Sequence, residues 1–182
     1  MVALDFSSEA IKRSKEWYKD VPNLEFKEGD AENLPFPDNS FDVVINVESS
    51  HCYGNMEKFV SEAIRVLRPG GVFGWADMRS PKMMDGTTRA FDNPSLTLIE
   101  EDTLNAGVIR ALNAAEEVKR EAMKELRFGS GLFKQFSGAK GSELYKAIAR
   151  NDVLYLLKVF KKRDASMTPV QNTSNPADHT TS

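Results

Sequence analysis

Short apolar runs alternate with stretches of helical periodicity from the first residues to about Lys162, and that alternation leaves few architectures open. The runs are VAL ahead of Asp5, LEFK at Leu24 to Lys27, FDVVINV at Phe41 to Val47, VFGWADM at Val72 to Met78, LTLIEED at Leu96 to Asp102, and DVLYLLKVF at Asp152 to Phe160. Between them lie IKRSKEWYKD, MEKFVSEAIRVL, the apolar set Leu104, Val108, Ile109, Leu112, Ala115 and Val118 extending to about Leu126, and SELYKAIAR. Strand neighbours joined through helices are parallel, so the pattern predicts an α/β fold with a mostly parallel sheet and helices on both faces. FDVVINV is a mainly apolar run and reads as a central strand covered on both faces.

The punctuation agrees. Ser7 or Ser8 is placed to cap a helix beginning near Glu9, and Asn55 to cap one from Met56 to Leu67. Pro69 with Gly70 and Gly71 stops the second helix in a turn. A short helix is expected near Asp85 to Phe91. Asp5 and Asp30 stand just beyond the carboxyl ends of successive strands, the edge of a parallel sheet where ligands bind. Asp5 is therefore either a ribose-binding acid or a solvated turn residue.

Composition removes several functions. The 182 residues, 41% hydrophobic, suffice for one domain over 1–163, and the polar stretch 164–182 is expected to be a disordered tail. A net charge of -3 gives no footprint for nucleic acid, and the basic KVFKKR reads as a solvated strand end. The single cysteine, Cys52, excludes an intrachain disulfide and a thiolate zinc site; it reads as a small buried residue, and no metal is expected. No apolar stretch approaches the roughly 20 residues of a transmembrane helix. A cytoplasmic protein is the expectation.

GDAENLPFPDNSFDVVINVESS followed by RVLRPGGVF resembles the class I S-adenosylmethionine-dependent methyltransferases with a methyltransferase type 11 domain. Within them, NVESSHCYGNMEKFVSEAIRVLRPGG and FSGAKGSELYKAI are similar to the bacterial phthiotriolone-type and polyketide O-methyltransferases. The resemblance implies a Rossmann-like sheet of order 3-2-1-4-5-7-6 with an antiparallel last strand, and S-adenosylmethionine as cofactor. It implies Asp5, with Phe6 beside it, at the donor's ribose; Asp30 and the Ala31 amide at the adenine; and Asn46, Val47 and Glu48 beneath the methionine moiety. Glu48 is also placed to pair with His51.

The same resemblance makes His51 and Asp77 base candidates for taking the proton of an acceptor hydroxyl on a small lipid, polyketide, phenol or sugar. Histidine has the right titration range for that role. Each residue also has a plainer reading: His51 as a loop hydrogen-bonder, Asp77 as a turn cap. Met83, Met84, Phe91, Phe128, Phe133 and Phe136 either line an apolar acceptor pocket or are ordinary core.

The family's first strand and its glycine-rich GxGxG loop have no counterpart ahead of Asp5, so a fold lacking that strand is expected, with unpaired edges on both sides of the gap. Two functions follow from this reading. One is an O-methyltransferase; the other is a truncated, non-catalytic relative that binds or dimerises through its exposed edges, unless Met1 is a misassigned start.

Overall fold

The computed structural model describes residues 1–115 and 141–164. Strands β1 (Val2–Asp5), β2 (Glu25–Glu28), β3 (Phe41–Val47), β4 (Leu67–Arg79), β5 (Leu96–Thr103) and β6 (Leu154–Lys162) alternate with helices α1 (Ser8–Trp17), α2 (Met56–Val66), α3 (Pro81–Phe91), α4 (Asn105–Ala114) and α5 (Glu143–Ala149). The expected α/β architecture is therefore present. Strands β1 and β2 form a parallel pair; a second sheet has the order β3-β4-β6-β5, with β3 and β4 parallel and β6 antiparallel to both its neighbours. Among the described residues, nothing pairs with the second edge of β1 or of β3.

The main core lies on one face of the larger sheet. In α2, Phe59, Val60, Ala63 and Ile64 recur at helical spacing and meet Phe73 and Trp75 of β4, Phe91 of α3, and Leu156 and Phe160 of β6. Each large apolar side chain so buried contributes about 1.5–3 kcal/mol. Phe91 stacks on Phe160 with centroids 4.7 Å apart and takes Trp75 edge-on at 5.1 Å. Phe91 is thus part of the core, and Met84 packs against the same cluster. Phe128, Phe133 and Phe136, the expected helix beyond Ala115 and the expected tail beyond Asp164 lie outside the described residues.

Several expectations are corrected. RPGG does not sit ahead of a strand; it interrupts β4, which pairs with β3 first at Phe41–Leu67 and again from Val43–Val72 onward. Gly70 has φ +77°, and a Cβ on Gly71 would fall 2.9 Å from the Arg68 carbonyl, so both glycines are needed for this excursion. Helix α3 starts at Pro81, earlier than Asp85, because proline's fixed φ suits the first helical position. Strand β3 is covered on one face only: Val44 packs on the core, while Val43, Ile45 and Val47 are 53%, 72% and 56% exposed. Among the described residues, Gly74, in register with Ile45, has nothing within 4 Å of where a Cβ would stand.

KVFKKR is also more than a solvated end. Lys162 Nζ donates to the carbonyls of Ile64 and Leu67 at 2.8 and 2.6 Å, capping the end of α2, and its partial burial pulls the amine downward. Lys158 pairs with Glu101.

The proline-containing loop from Asp30 to Ser40 is tied down by Arg65, near the end of α2. Its guanidinium donates to the carbonyls of Leu34 (2.9 Å) and Phe36 (2.8 Å) and to the carboxylates of Asp38 and Glu62 (both 2.7 Å at closest), while Glu62 accepts the Leu34 N–H at 2.7 Å. The Glu62 hydrogen bond, then that of Asp38, pushes the guanidinium further upward. Arg65→Ala is expected to lower stability by about 2 kcal/mol in urea unfolding. Arg65→Lys should recover less than half of that loss, since an ammonium cannot span four acceptors in the plane of a fork.

Candidate active site

The site is assembled along the carboxyl edge of the strands. Asp5 ends β1, and Asp30 lies two residues past β2, on the same edge because the two strands are parallel. Each acid closes a short turn: Asp5 Oδ1 accepts the Ser7 N–H at 2.7 Å, and Asp30 Oδ1 accepts the Glu32 N–H at 2.8 Å. That local bond is what Asp offers at a strand end. The second oxygen of each carboxylate takes no hydrogen bond from the described residues. Ser7 also caps α1 by accepting the Ala10 N–H at 3.2 Å. Phe6 is 80% exposed, and Ala31 packs against the core behind Asp30.

Glu32, which sequence reasoning passed over, joins this edge to the next strand. Its Oε1 accepts the N–H groups of Gly54 and Asn55 at 2.7 and 2.9 Å, and Asn55 caps α2. Near the end of β3, Asn46 Nδ2 donates to Ser49 Oγ and Tyr53 Oη, both at 2.9 Å. Asn46 Oδ1 is buried and has no partner among the described residues. Val47 follows with its side chain out, and Glu48 adopts φ +53°, an uncommon conformation for a residue with a Cβ. Glu48 faces Tyr155 of β6: burial first, and then this carboxylate, push the Tyr155 phenol well upward, so it stays protonated.

The most connected group is the Asp77 carboxylate on β4, 0% exposed. Its Oδ1 accepts from His51 Nδ1 and the Met78 N–H, both at 2.8 Å; its Oδ2 accepts from Ser50 Oγ at 2.7 Å and the His51 N–H at 2.9 Å, with Arg79 Nη1 at 3.2 Å. Burial alone would raise this carboxyl, but the hydrogen bonds from Ser50 and His51 and the charge of Arg79 outweigh it and hold it below the usual range. A carboxylate can only accept, so Nδ1 carries a hydrogen, and in the neutral ring that tautomer leaves Nε2 with a lone pair. The His51 side chain is 25% exposed, in contrast with its anchor.

Ser50 and Arg79, likewise unsuspected, complete the cluster. Ser50 Oγ accepts from Trp75 Nε1 at 2.8 Å and Arg79 Nη2 at 2.6 Å while donating to Asp77, which uses all of its hydrogen-bonding capacity. Arg79 is 1% exposed, donates through Nε to Thr87 Oγ1 at 2.8 Å and lies 4.7 Å from the Trp75 ring centroid. Asp77 and Arg79 are two apart on one strand and so share a face; a charged residue at a core position of VFGWADMR was the available signal. Cys52 is exposed, against expectation, because the short turn Ser50–Cys52 puts Ser50 inside and turns Cys52 outward.

A nucleoside donor fits what is here: two acids with free oxygens on one edge, an orphaned amide oxygen at Asn46, and a histidine poised beyond it. Among the described residues, no cluster of three or more His, Cys, Asp or Glu side chains is arranged to hold a metal, and no helix is long and apolar enough to cross a membrane.

Comparison with known proteins points the same way. A methyltransferase domain model matches residues 1–74. The chain is 35% identical over 164 residues, 87% of its length, to phthiotriol/phenolphthiotriol dimycocerosates methyltransferase of Mycobacterium tuberculosis, and 39% identical over 109 residues, 60% of its length, to a fatty-acid O-methyltransferase of Mycolicibacterium smegmatis. It spans 59% of the first of these relatives and 39% of the second. Among solved structures, geranyl diphosphate methyltransferase in complex with geranyl diphosphate and sinefungin superposes with a TM-score of 0.66 at 14% identity, covering 88% of this chain and 62% of that one. The [4+2]-cyclase SpnF also superposes with a TM-score of 0.66, at 16% identity, covering 89% of this chain and 65% of that one. The chain thus carries a methyltransferase-domain match over residues 1–74, is similar to curated methyltransferases, and shares the fold of the solved class I methyltransferases.

Proposed function

We propose that the chain transfers a methyl group from S-adenosylmethionine to a hydroxyl of a small acceptor, with His51 as the general base. The observation that carries this reading is the 2.8 Å bond from His51 Nδ1 to a fully buried Asp77, because it leaves Nε2 as a lone-pair acceptor on the ligand edge of the sheet. When bound, S-adenosylmethionine supplies an electrophilic methyl group. Asp5 would hold its ribose hydroxyls, Asp30 and the Ala31 amide its adenine, and Asn46 Oδ1, with Val47 and Glu48, its amino acid end.

His51 Nε2 takes the acceptor's hydroxyl proton as the oxygen becomes a nucleophile, and the positive charge gained by the ring faces Asp77. Asp77 itself is not the base, since no acceptor reaches a carboxylate with both oxygens filled and no exposed surface. The similarity to methyltransferases of phthiotriol/phenolphthiotriol dimycocerosates and of fatty acids supports a lipid acceptor.

His51→Ala is expected to lower the rate of transfer of labelled methyl to a hydroxylated lipid by about 10²–10⁴-fold, with little change in donor affinity. A rate indifferent to this substitution would overturn the base assignment. Asp5→Ala is expected to weaken S-adenosylmethionine binding by about one to two powers of ten in calorimetric titration. Unchanged affinity would make Asp5 a turn residue only.

The exposed stripe Val43, Ile45 and Val47, beside an edge of β3 that is unpaired among the described residues, favours a second reading in which the chain also associates with a second copy there. Ile45→Lys should then abolish concentration-dependent association in sedimentation velocity while changing stability by no more than about 0.5 kcal/mol.

A further inference from the structure

We propose that Arg79 is a positioning residue that keeps His51 in its neutral, proton-accepting form by balancing the charge of Asp77. The inference rests on His51 acting as the base, but the charge balance can be measured without any reaction.

Asp77 is 0% and Arg79 1% exposed, with Arg79 Nη1 3.2 Å from Asp77 Oδ2. Together they are electrically neutral. The His51 ring contacts the other oxygen, Oδ1, at 2.8 Å. Protonating His51 would set a second cation against a carboxylate already compensated and would leave the trio with a net positive charge that solvent meets only at the partly exposed imidazole. With Asp77 alone the balance would be reversed, since an unshielded opposite charge at this range stabilises a protonated imidazole by about one to three pH units.

The placement of Arg79 is determined by its anchors. Thr87 Oγ1 accepts from Nε, Ser50 Oγ from Nη2 at 2.6 Å and the Met78 carbonyl from Nη1 at 2.7 Å, while the Trp75 ring lies beneath the guanidinium. These contacts aim the charge at Asp77 and prevent the side chain from swinging to solvent. The other titratable groups at this edge cannot substitute for it. Tyr155, on β6, is neutral; Glu48, after β3, is an acid; Cys52, on the same turn as His51, is exposed and not cationic. Among the described residues, Arg79 is the one Lys or Arg side chain paired with Asp77.

The test is an NMR titration of the imidazole signals of the full chain, whose two histidines are His51 and His179. Arg79→Gln is expected to raise the His51 midpoint by about one pH unit, a tenfold gain in proton affinity; Arg79→Lys, which keeps the charge, should stay close to the unsubstituted value. A folded Arg79→Gln chain with an unmoved or lowered midpoint would overturn the proposal. Should Arg79→Gln not fold, the nearly isosteric Asp77→Asn decides. Arg79 then acts on His51 unopposed, and the midpoint should fall below the ordinary value of about 6.5; a midpoint at or above it would overturn the assignment. A methyl-transfer rate indifferent to His51→Ala would defeat the base reading whatever the midpoints do. A His51-dependent rate without the expected shifts would defeat the role of Arg79 alone.

Discussion

The Asp77 carboxylate has no solvent to stabilise it, so protein groups must fill its lone pairs, and those groups come from separate parts of the chain. Ser50 and His51 come from the turn after β3, the Met78 N–H and Arg79 from β4, and Arg79 is in turn held by Thr87 of α3. Satisfying one charge therefore fixes how the turn, the strand end and the helix sit against each other. Leaving any one of those contacts unmade would cost about 1–3 kcal/mol, a large fraction of the stability of a domain this size. The strand edge is thereby rigid where His51 needs a fixed orientation.

The side of the edge that carries Asp5 and Asp30 is held by lighter means. Asp30 fixes the turn to Glu32, Glu32 fixes Gly54 and Asn55 at the start of α2, and Arg65 near the other end of α2 grips the same loop at Leu34 and Phe36. The β1-β2 pair is thus tied to the larger sheet through loop and helix, without strand pairing between the two sheets among the described residues. Such polar ties keep Asp5 and Asp30 on the same edge as His51, but they leave the apolar face of β3 uncovered.

Most of the fold was legible because local pattern and tertiary role agree. The strand runs, the caps at Ser7 and Asn55, the periodicity of α2 and the antiparallel last strand all appear where residue chemistry and family resemblance put them. The failures have physical causes. In FDVVINV the all-apolar face of Val43, Ile45 and Val47 is the exposed one, while Val44 packs on the core between Asp42 and Asn46, so the pattern of the run points to the wrong face as the covered one. Lys162 reads as a solvated cation because its partners are the carbonyls of Ile64 and Leu67, which carry no sequence signal. Of the site, His51 and Asp77 were recognisable as types, but their 2.8 Å contact joins positions 26 apart through a turn whose path no local rule dictates. Ser50, Arg79 and Glu32 escaped because each acts on another protein group.

The expected role of the buried, ionised Asp77 is to present His51 as an acceptor at Nε2. It is tested most directly by the nitrogen chemical shifts of the His51 ring in ¹⁵N-labelled protein at a pH where the ring is neutral. The expected spectrum is that of the tautomer with hydrogen on Nδ1, coupled to a deshielded, slowly exchanging proton shared with Asp77, and a bare Nε2. A ring protonated at Nε2 with a bare Nδ1 would contradict it, because the carboxylate would then face a lone pair and the nitrogen assigned to the acceptor's proton would already be occupied.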